Sequence, residues 1–269
     1  MAGEVRVERH DAVAQLVFDA PERRNAMTEA MGQALAEAVE RIAADASVRA
    51  VVLSGAGAAF SAGGDLAMLE ELARAGRAAP GEPQRGRARA FMRRFYGLFL
   101  SLRELPQPTI AAIHGAAIGA GLAVALACDL RFAARDARLG LNFTRLGIHP
   151  GMGSTWTLPR LVGPAHAADL LLTGRIVDGV EAERMGLVNR ALPADQVLPH
   201  ALETAAAIAA CAPGAVRATR RSLRGALGAS LEEQLDVEAE EQARCYESAD
   251  LAEGLEAVRT RRTPRFTGR

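Results

Sequence analysis

Residues 109–121 read Thr-Ile-Ala-Ala-Ile-His-Gly-Ala-Ala-Ile-Gly-Ala-Gly. A short apolar run, a His-Gly punctuation and a set of small residues describe a buried strand, a turn and the start of a helix. The apolar character continues to Cys128, long enough to raise a membrane span. Yet His114, Gly115, Gly119 and Gly121 interrupt it, and Asp129 and Arg131 follow at once, so a soluble strand–turn–helix is the reading adopted and no membrane span is expected. The same unit recurs on either side. Val13 to Phe18 and Ala50 to Leu53 read as strands, the second ending at Ser54-Gly55-Ala56-Gly57, and Leu130 to Ala133 reads as another. Thr28 to Ile42 carries apolar residues at helical spacing, with Thr28 as its N-cap. Stacked strand–turn–helix units of this kind form one α/β core, although their sequences are not alike enough to be a repeat.

Two regions depart from that rhythm. Residues 75–89 mix Gly76, Pro80, Gly81, Pro83 and Gly86 with arginines and read as a mobile surface loop or lid ahead of a helix from Ala88 to Arg103. From Gly163 onward helical patterns dominate, with Gly186 stopping the helix over Glu181 to Met185. The chain is therefore divided into a core at 1–195 and a helical region at 196–269 that caps the core or packs on another subunit.

Charge narrows the function. The 269 residues carry 32 basic and 32 acidic side chains, so no basic surface is expected to neutralise nucleic-acid phosphates. Cys128, Cys211 and Cys245 are widely spaced and odd in number, and no ligand cluster implies a metal or redox cofactor. Met1 to His10 lacks an apolar leader core, so a reducing, cytoplasmic setting is expected.

The chemistry concentrates in two glycine turns. Phe60-Ser61-Ala62-Gly63-Gly64-Asp65-Leu66 bends sharply before a helix that Asp65 is placed to cap. Gly115 to Gly121 follows a strand and opens a second helix, whose first N–H groups are unpaired and sit at the positive end of its dipole. Each turn can aim a backbone N–H at a substrate oxygen, and small residues leave room for a flat group between them. Ordinary tight turns with close helix packing fit the same spacing. Neither turn is a nucleotide loop: Gly-x-x-x-x-Gly-Lys-Ser/Thr is absent, and Phe60 stands where the third glycine of a dinucleotide fingerprint belongs.

Across these segments the chain resembles the crotonase superfamily, the enoyl-CoA hydratase/isomerase family. The resemblance rests on Pro21-Glu22-Arg23-Arg24-Asn25-Ala26, Phe60 to Leu66, His114 to Asp129, Leu146 to Val162, Leu171 to Gly174 with Gly186-Leu187-Val188-Asn189, and the ending Arg261 to Phe266. It implies a spiral of ββα turns with a helical C-terminal trimerisation region, a homotrimer or a dimer of trimers, and a coenzyme A thioester as substrate with no separate cofactor. By position, the N–H groups of Gly64 and Ala120 form an oxyanion hole. Arg24, Ala26, Ala62 and Leu66 lie along coenzyme A, with Gly63, Asp65, Gly121 and Phe143 lining the substrate site. The basic ending Arg259 to Arg265, which includes Arg262, reads either as a contact for the phosphates of coenzyme A or as a solvated tail.

The resemblance breaks at the proton carriers. The family's hydratases use two glutamates, where this chain has Ala123 and Phe143, and related isomerases use a later acid, where it has Gly151. None of these side chains transfers a proton, and residues 139–152 contain no Asp or Glu. His149 is the titratable group left in that stretch apart from Arg145, as an acid or base or as a turn residue bonded to backbone. Three functions stay open: a hydratase or isomerase using other groups, a decarboxylase or thioester hydrolase on the same fold, and a non-catalytic acyl-CoA binder. Phe91, Met92, Phe95, Tyr96 and Phe99 read as an acyl pocket or a core stripe, Trp156 as core, and Asp129 with Arg131 as structural.

Overall fold

The computed structural model describes residues 4–269; the first three residues of the Met1–His10 stretch lie outside it. The chain begins with an antiparallel pair, β1 (Val5–His10) and β2 (Val13–Phe18). β1 lies at the sheet edge and carries charged, exposed side chains, which discourages further strand pairing, whereas β2 is buried throughout. Helix α1 (Glu29–Ala44) follows, and the Thr28 hydroxyl accepts from the Met31 N–H as its spacing predicts.

Next come β3 (Ala50–Gly55), β4 (Ala59–Ser61), α2 (Leu66–Ala78), α3 (Glu82–Leu100), β5 (Thr109–Ile113), β6 (Ala116–Ile118), α4 (Ala120–Ala125), β7 (Leu130–Ala134) and β8 (Leu139–Gly140). The pairing explains the architecture. β3, β5 and β7 continue the sheet of β1 and β2 in the order β1-β2-β3-β5-β7, to which one later strand is added, while β4, β6 and β8 pair in a second, smaller sheet. Each turn of chain thus places one strand in each sheet, and helices follow. This is a spiral of ββα turns, and the parallel strands are buried apolar runs because both faces are covered.

The remainder is α5 (Ser154–Thr173, broken at Gly163), β9 (Ile176–Val177), α6 (Gly179–Arg184), β10 (Arg190–Leu192), α7 (Ala194–Ala209), α8 (Pro213–Ala226), α9 (Leu231–Tyr246) and α10 (Ala249–Thr260). β9 completes the small sheet and β10 the large one. Helix α7 packs on β3, β5 and β7, and the 195/196 division falls inside it. Helices α8 to α10 leave Leu223, Leu227, Leu231, Leu235 and Val258 exposed. No helix among the described residues is long and apolar enough to cross a membrane.

Two sequence expectations need correction. Residues 75–89 are not a long loop: only 79–81 separate α2 from α3. Gly81 has φ of 142° and Pro83 lies in the first turn of α3, so glycine and proline confine the break to one tight corner. Trp156 is 49% exposed rather than core; the guanidiniums of Arg160 and Arg103 lie 4.1 and 5.2 Å from its ring centre. Asp129 and Arg131 are structural, as expected, each with its own partners: Asp129 pairs with Arg220 and Arg224 of α8, at 2.6 and 3.1 Å. Arg131 instead donates to the carbonyls of Leu187 and Cys128.

Candidate active site

The first glycine turn is pinned by the segment before α1. Met27 and Gly64 form a single parallel bridge. The Met27 N–H donates to the Gly63 carbonyl at 2.7 Å, and the Asp65 N–H donates to the Met27 carbonyl at 3.1 Å. Both bonds of this bridge use Met27 and the two neighbours of Gly64, so the Gly64 N–H itself points to the opposite side. Among the described residues it has no acceptor. Behind the turn, the Ser61 hydroxyl donates to the Asn25 carbonyl at 2.8 Å and accepts from the Gly63 N–H at 3.2 Å. The fully buried Asn25 amide donates to the carbonyls of Ala56 and Ala59, and its oxygen accepts from the Ala20 N–H. Asp65 caps α2, accepting from the Met68 N–H at 3.0 Å.

The second turn is held from the small sheet. The Gly119 N–H donates to the Gly140 carbonyl at 2.7 Å, and Gly119 adopts φ of 54°, a left-handed conformation that turns the chain directly into α4. Ala120 is the first residue of that helix, so its N–H has no intrahelical partner, and none exists among the described residues. All six residues of α4 are buried. The two turns abut. A β-carbon on Gly63 would stand 2.5 Å from the Ile118 carbonyl oxygen and 3.5 Å from the Ala120 nitrogen. With φ of 92° at Gly63, only glycine permits this approach.

Both turns open into one cavity of about 400 Å³, within the usual size of small-molecule sites. Of the residues expected from sequence, Ala26, Ala62, Gly63, Gly64, Asp65, Leu66, Ala120, Phe143 and His149 line it. Met92, Phe95 and Tyr96 of α3 supply another wall, while Phe99 is buried in the core beside Phe18.

Three expected residues lie elsewhere. Arg24 is exposed outside the lining, and its neighbour Arg23 takes the place on the wall. Gly121 is buried behind the turn, where a β-carbon would meet Ser61 at 2.7 Å, so its smallness serves helix packing. Arg262 clasps the Glu253 carboxylate at 2.5 and 2.8 Å, away from the cavity. Hydrogen bonding from Arg262 holds that carboxyl down at about 2. Sequence reasoning did not single out Asn25 or Ser61 as the supports of the first turn. An asparagine at φ of 54° is the local signal, since its short amide tolerates that conformation.

The lining is poor in free acids and bases. Asp65 is committed to its cap, and Arg23 to Glu4 and Glu22. Ala123 is buried and Phe143 presents a ring, so neither holds a proton. His149 is exposed, with Nδ1 2.8 Å from the Pro150 carbonyl oxygen. A carbonyl only accepts, so that bond puts the hydrogen on Nδ1 and leaves Nε2 with a free lone pair in the neutral ring. Arg145 donates to the Thr173 carbonyl at 2.9 Å and is held off the site. His114 bonds the Gly57 carbonyl at 2.8 Å and fixes the strand-to-turn corner.

Residues 8–269 match the family model described as enoyl-CoA hydratase/isomerase. The chain belongs to the enoyl-CoA hydratase/isomerase family, the crotonase superfamily. It is 39% identical over 262 residues to a protein of Thermus thermophilus whose name places it provisionally among the enoyl-CoA hydratases, covering 97% of this chain and 100% of that one. The crystal structure of an enoyl-CoA hydratase from Bacillus anthracis superposes with a TM-score of 0.90 at 34% identity, covering 99% of this chain and 100% of the other. An enoyl-CoA hydratase from Polaromonas sp. JS666 gives 0.89 at 31% identity, covering 98% and 99%.

Proposed function

We propose that the protein is an acyl-CoA thioester enzyme of the hydratase/isomerase type in which the N–H groups of Gly64 and Ala120 receive the thioester oxygen. The observation that carries this reading is a pair of acceptor-free amides, delivered by separate turns to one largely apolar cavity. A thioester carbonyl gains negative charge as it becomes an enolate. Two fixed donors stabilise that charge without reorganising, and each such donor is worth about 10²–10³ in kcat. Ala26, Ala62 and Leu66 run beside the coenzyme A moiety. Arg24, outside the cavity, and Arg262, in a trimer or hexamer built on the apolar face of α8 to α10, meet its phosphates. His149 Nε2 is the proton carrier in place of the absent glutamates, contributing on the order of 10²–10⁴-fold.

Purified protein is expected to hydrate or isomerise a short enoyl-CoA, and His149→Ala to suppress the turnover. Unchanged turnover in that variant removes His149 from the mechanism. The scarcity of free carboxylates favours a second reading, decarboxylation, because loss of carbon dioxide generates the enolate without a base. Malonyl-type thioesters separate the two: carbon dioxide release without enoyl-CoA turnover selects the decarboxylase. Binding without turnover of any thioester leaves a non-catalytic acyl-CoA binder.

A further inference from the structure

The α3 wall of the cavity carries one polar group that the site described above does not use. Tyr96 is half-buried, lines the cavity between Met92, Phe95 and Met152, and its hydroxyl has no hydrogen-bond partner among the described residues. Its place depends on a glycine far along the chain: a β-carbon on Gly151 would stand 2.5 Å from the Tyr96 oxygen and 3.0 Å from the ring carbon that bears it. The absence of a side chain at 151 is what admits the phenol. Burial pushes the Tyr96 phenol upward from its ordinary value, so at neutral pH it stays protonated and offers an O–H donor rather than a base.

We infer that Tyr96 is a specificity-determining residue that selects acyl groups carrying a second oxygen beyond the thioester carbonyl. This inference rests on the proposed acyl-CoA reading. An all-carbon chain filling the cavity strips water from the hydroxyl and returns nothing, whereas a ligand hydroxyl accepts its hydrogen bond.

The test is calorimetric titration of the full chain with butyryl-CoA and 4-hydroxybutyryl-CoA, neither of which the proposed hydration forms or consumes. In the wild type 4-hydroxybutyryl-CoA is expected to bind about tenfold tighter than butyryl-CoA, the effect of one satisfied buried hydrogen bond. In Tyr96→Phe the ratio of the two dissociation constants falls to about one on the same basis. Gly151→Ala, which keeps the phenol but pushes it aside, lowers the ratio as well. A merely structural role for Tyr96 moves both constants together and leaves the ratio intact, which overturns the inference. So does a wild type with no preference, while the acyl-CoA reading stands. Failure to bind either thioester overturns both.

Discussion

The two glycine turns reach the same cavity by opposite means. The turn at Gly63-Gly64 leads into α2, which has no fully buried residue, so the helix gives it little packing support. Its position comes from behind, through Met27, Ser61 and the buried Asn25. The turn at Gly119-Ala120 leads into α4, which is wholly buried. Asp129, a few residues past that helix, is tied to α8 through Arg220 and Arg224. One amide is therefore aimed by a hydrogen-bonded strap and the other by a packed core. The lesson is that two donors with one task depend on different parts of the sequence and can be damaged separately.

Substitutions can break that contrast. The largest effect is expected at Gly63→Ala, where positive φ and the Ile118 carbonyl leave no room. It should cost about 3 kcal/mol of stability in denaturant titration and abolish turnover. Ala120→Pro replaces the N–H with a ring methylene that also crowds the place of the substrate oxygen, at the first helical position, where the helix tolerates proline. kcat/KM should fall about 10²–10³, with the unfolding midpoint little changed.

Asp129→Asn tests the anchor behind the second turn and should cost about 2–3 kcal/mol, because it leaves guanidiniums partly buried without their partner. Burial pushes the Asp129 carboxyl up, but Arg220, the Thr109 N–H and Arg224 outweigh it and hold the group below its ordinary value. A lowered folded pKa gives stability that is present above the unfolded value and is lost as pH falls through the folded one. Acid titration of wild type against Asp129→Asn should show that limb only in the wild type. Asp65→Ala should cost about 1 kcal/mol through the lost cap and weaken ligand binding at the first turn alone. The smallest effect belongs to Gly64→Ala, whose β-carbon would meet nothing nearer than Met68 at 3.8 Å. Its stability should change by about 0.5 kcal/mol or less in the same titration.

Local chemistry was legible in the sequence. The strand Thr109–Ile113 ends where His114-Gly115 predicts, and Thr28 and Asp65 cap the helices they precede. Each of these depends on residues a few positions apart. The misreadings share the opposite property. Trp156 looks like core until Arg103 and Arg160 cover its faces. Asp129 reads correctly as structural, but its partners, 91 and 95 positions away, have no local signal. Residues 75–89 look loop-like by composition, yet arginine and alanine sustain the two helices and the glycine–proline corner is small. In the site, the glycines announced both turns, but the contact between Tyr96 and Gly151 is set by how α3 crosses the spiral and has no local signal.

The account stands on polarisation of one carbonyl by two amides. Isotope-edited infrared spectroscopy of an acyl-CoA labelled with carbon-13 at the thioester carbonyl measures it directly. The bound carbonyl band is expected below its frequency in water, with part of that downshift lost in Ala120→Pro. A bound band at the solution frequency, or one that Ala120→Pro leaves unmoved, would contradict the account.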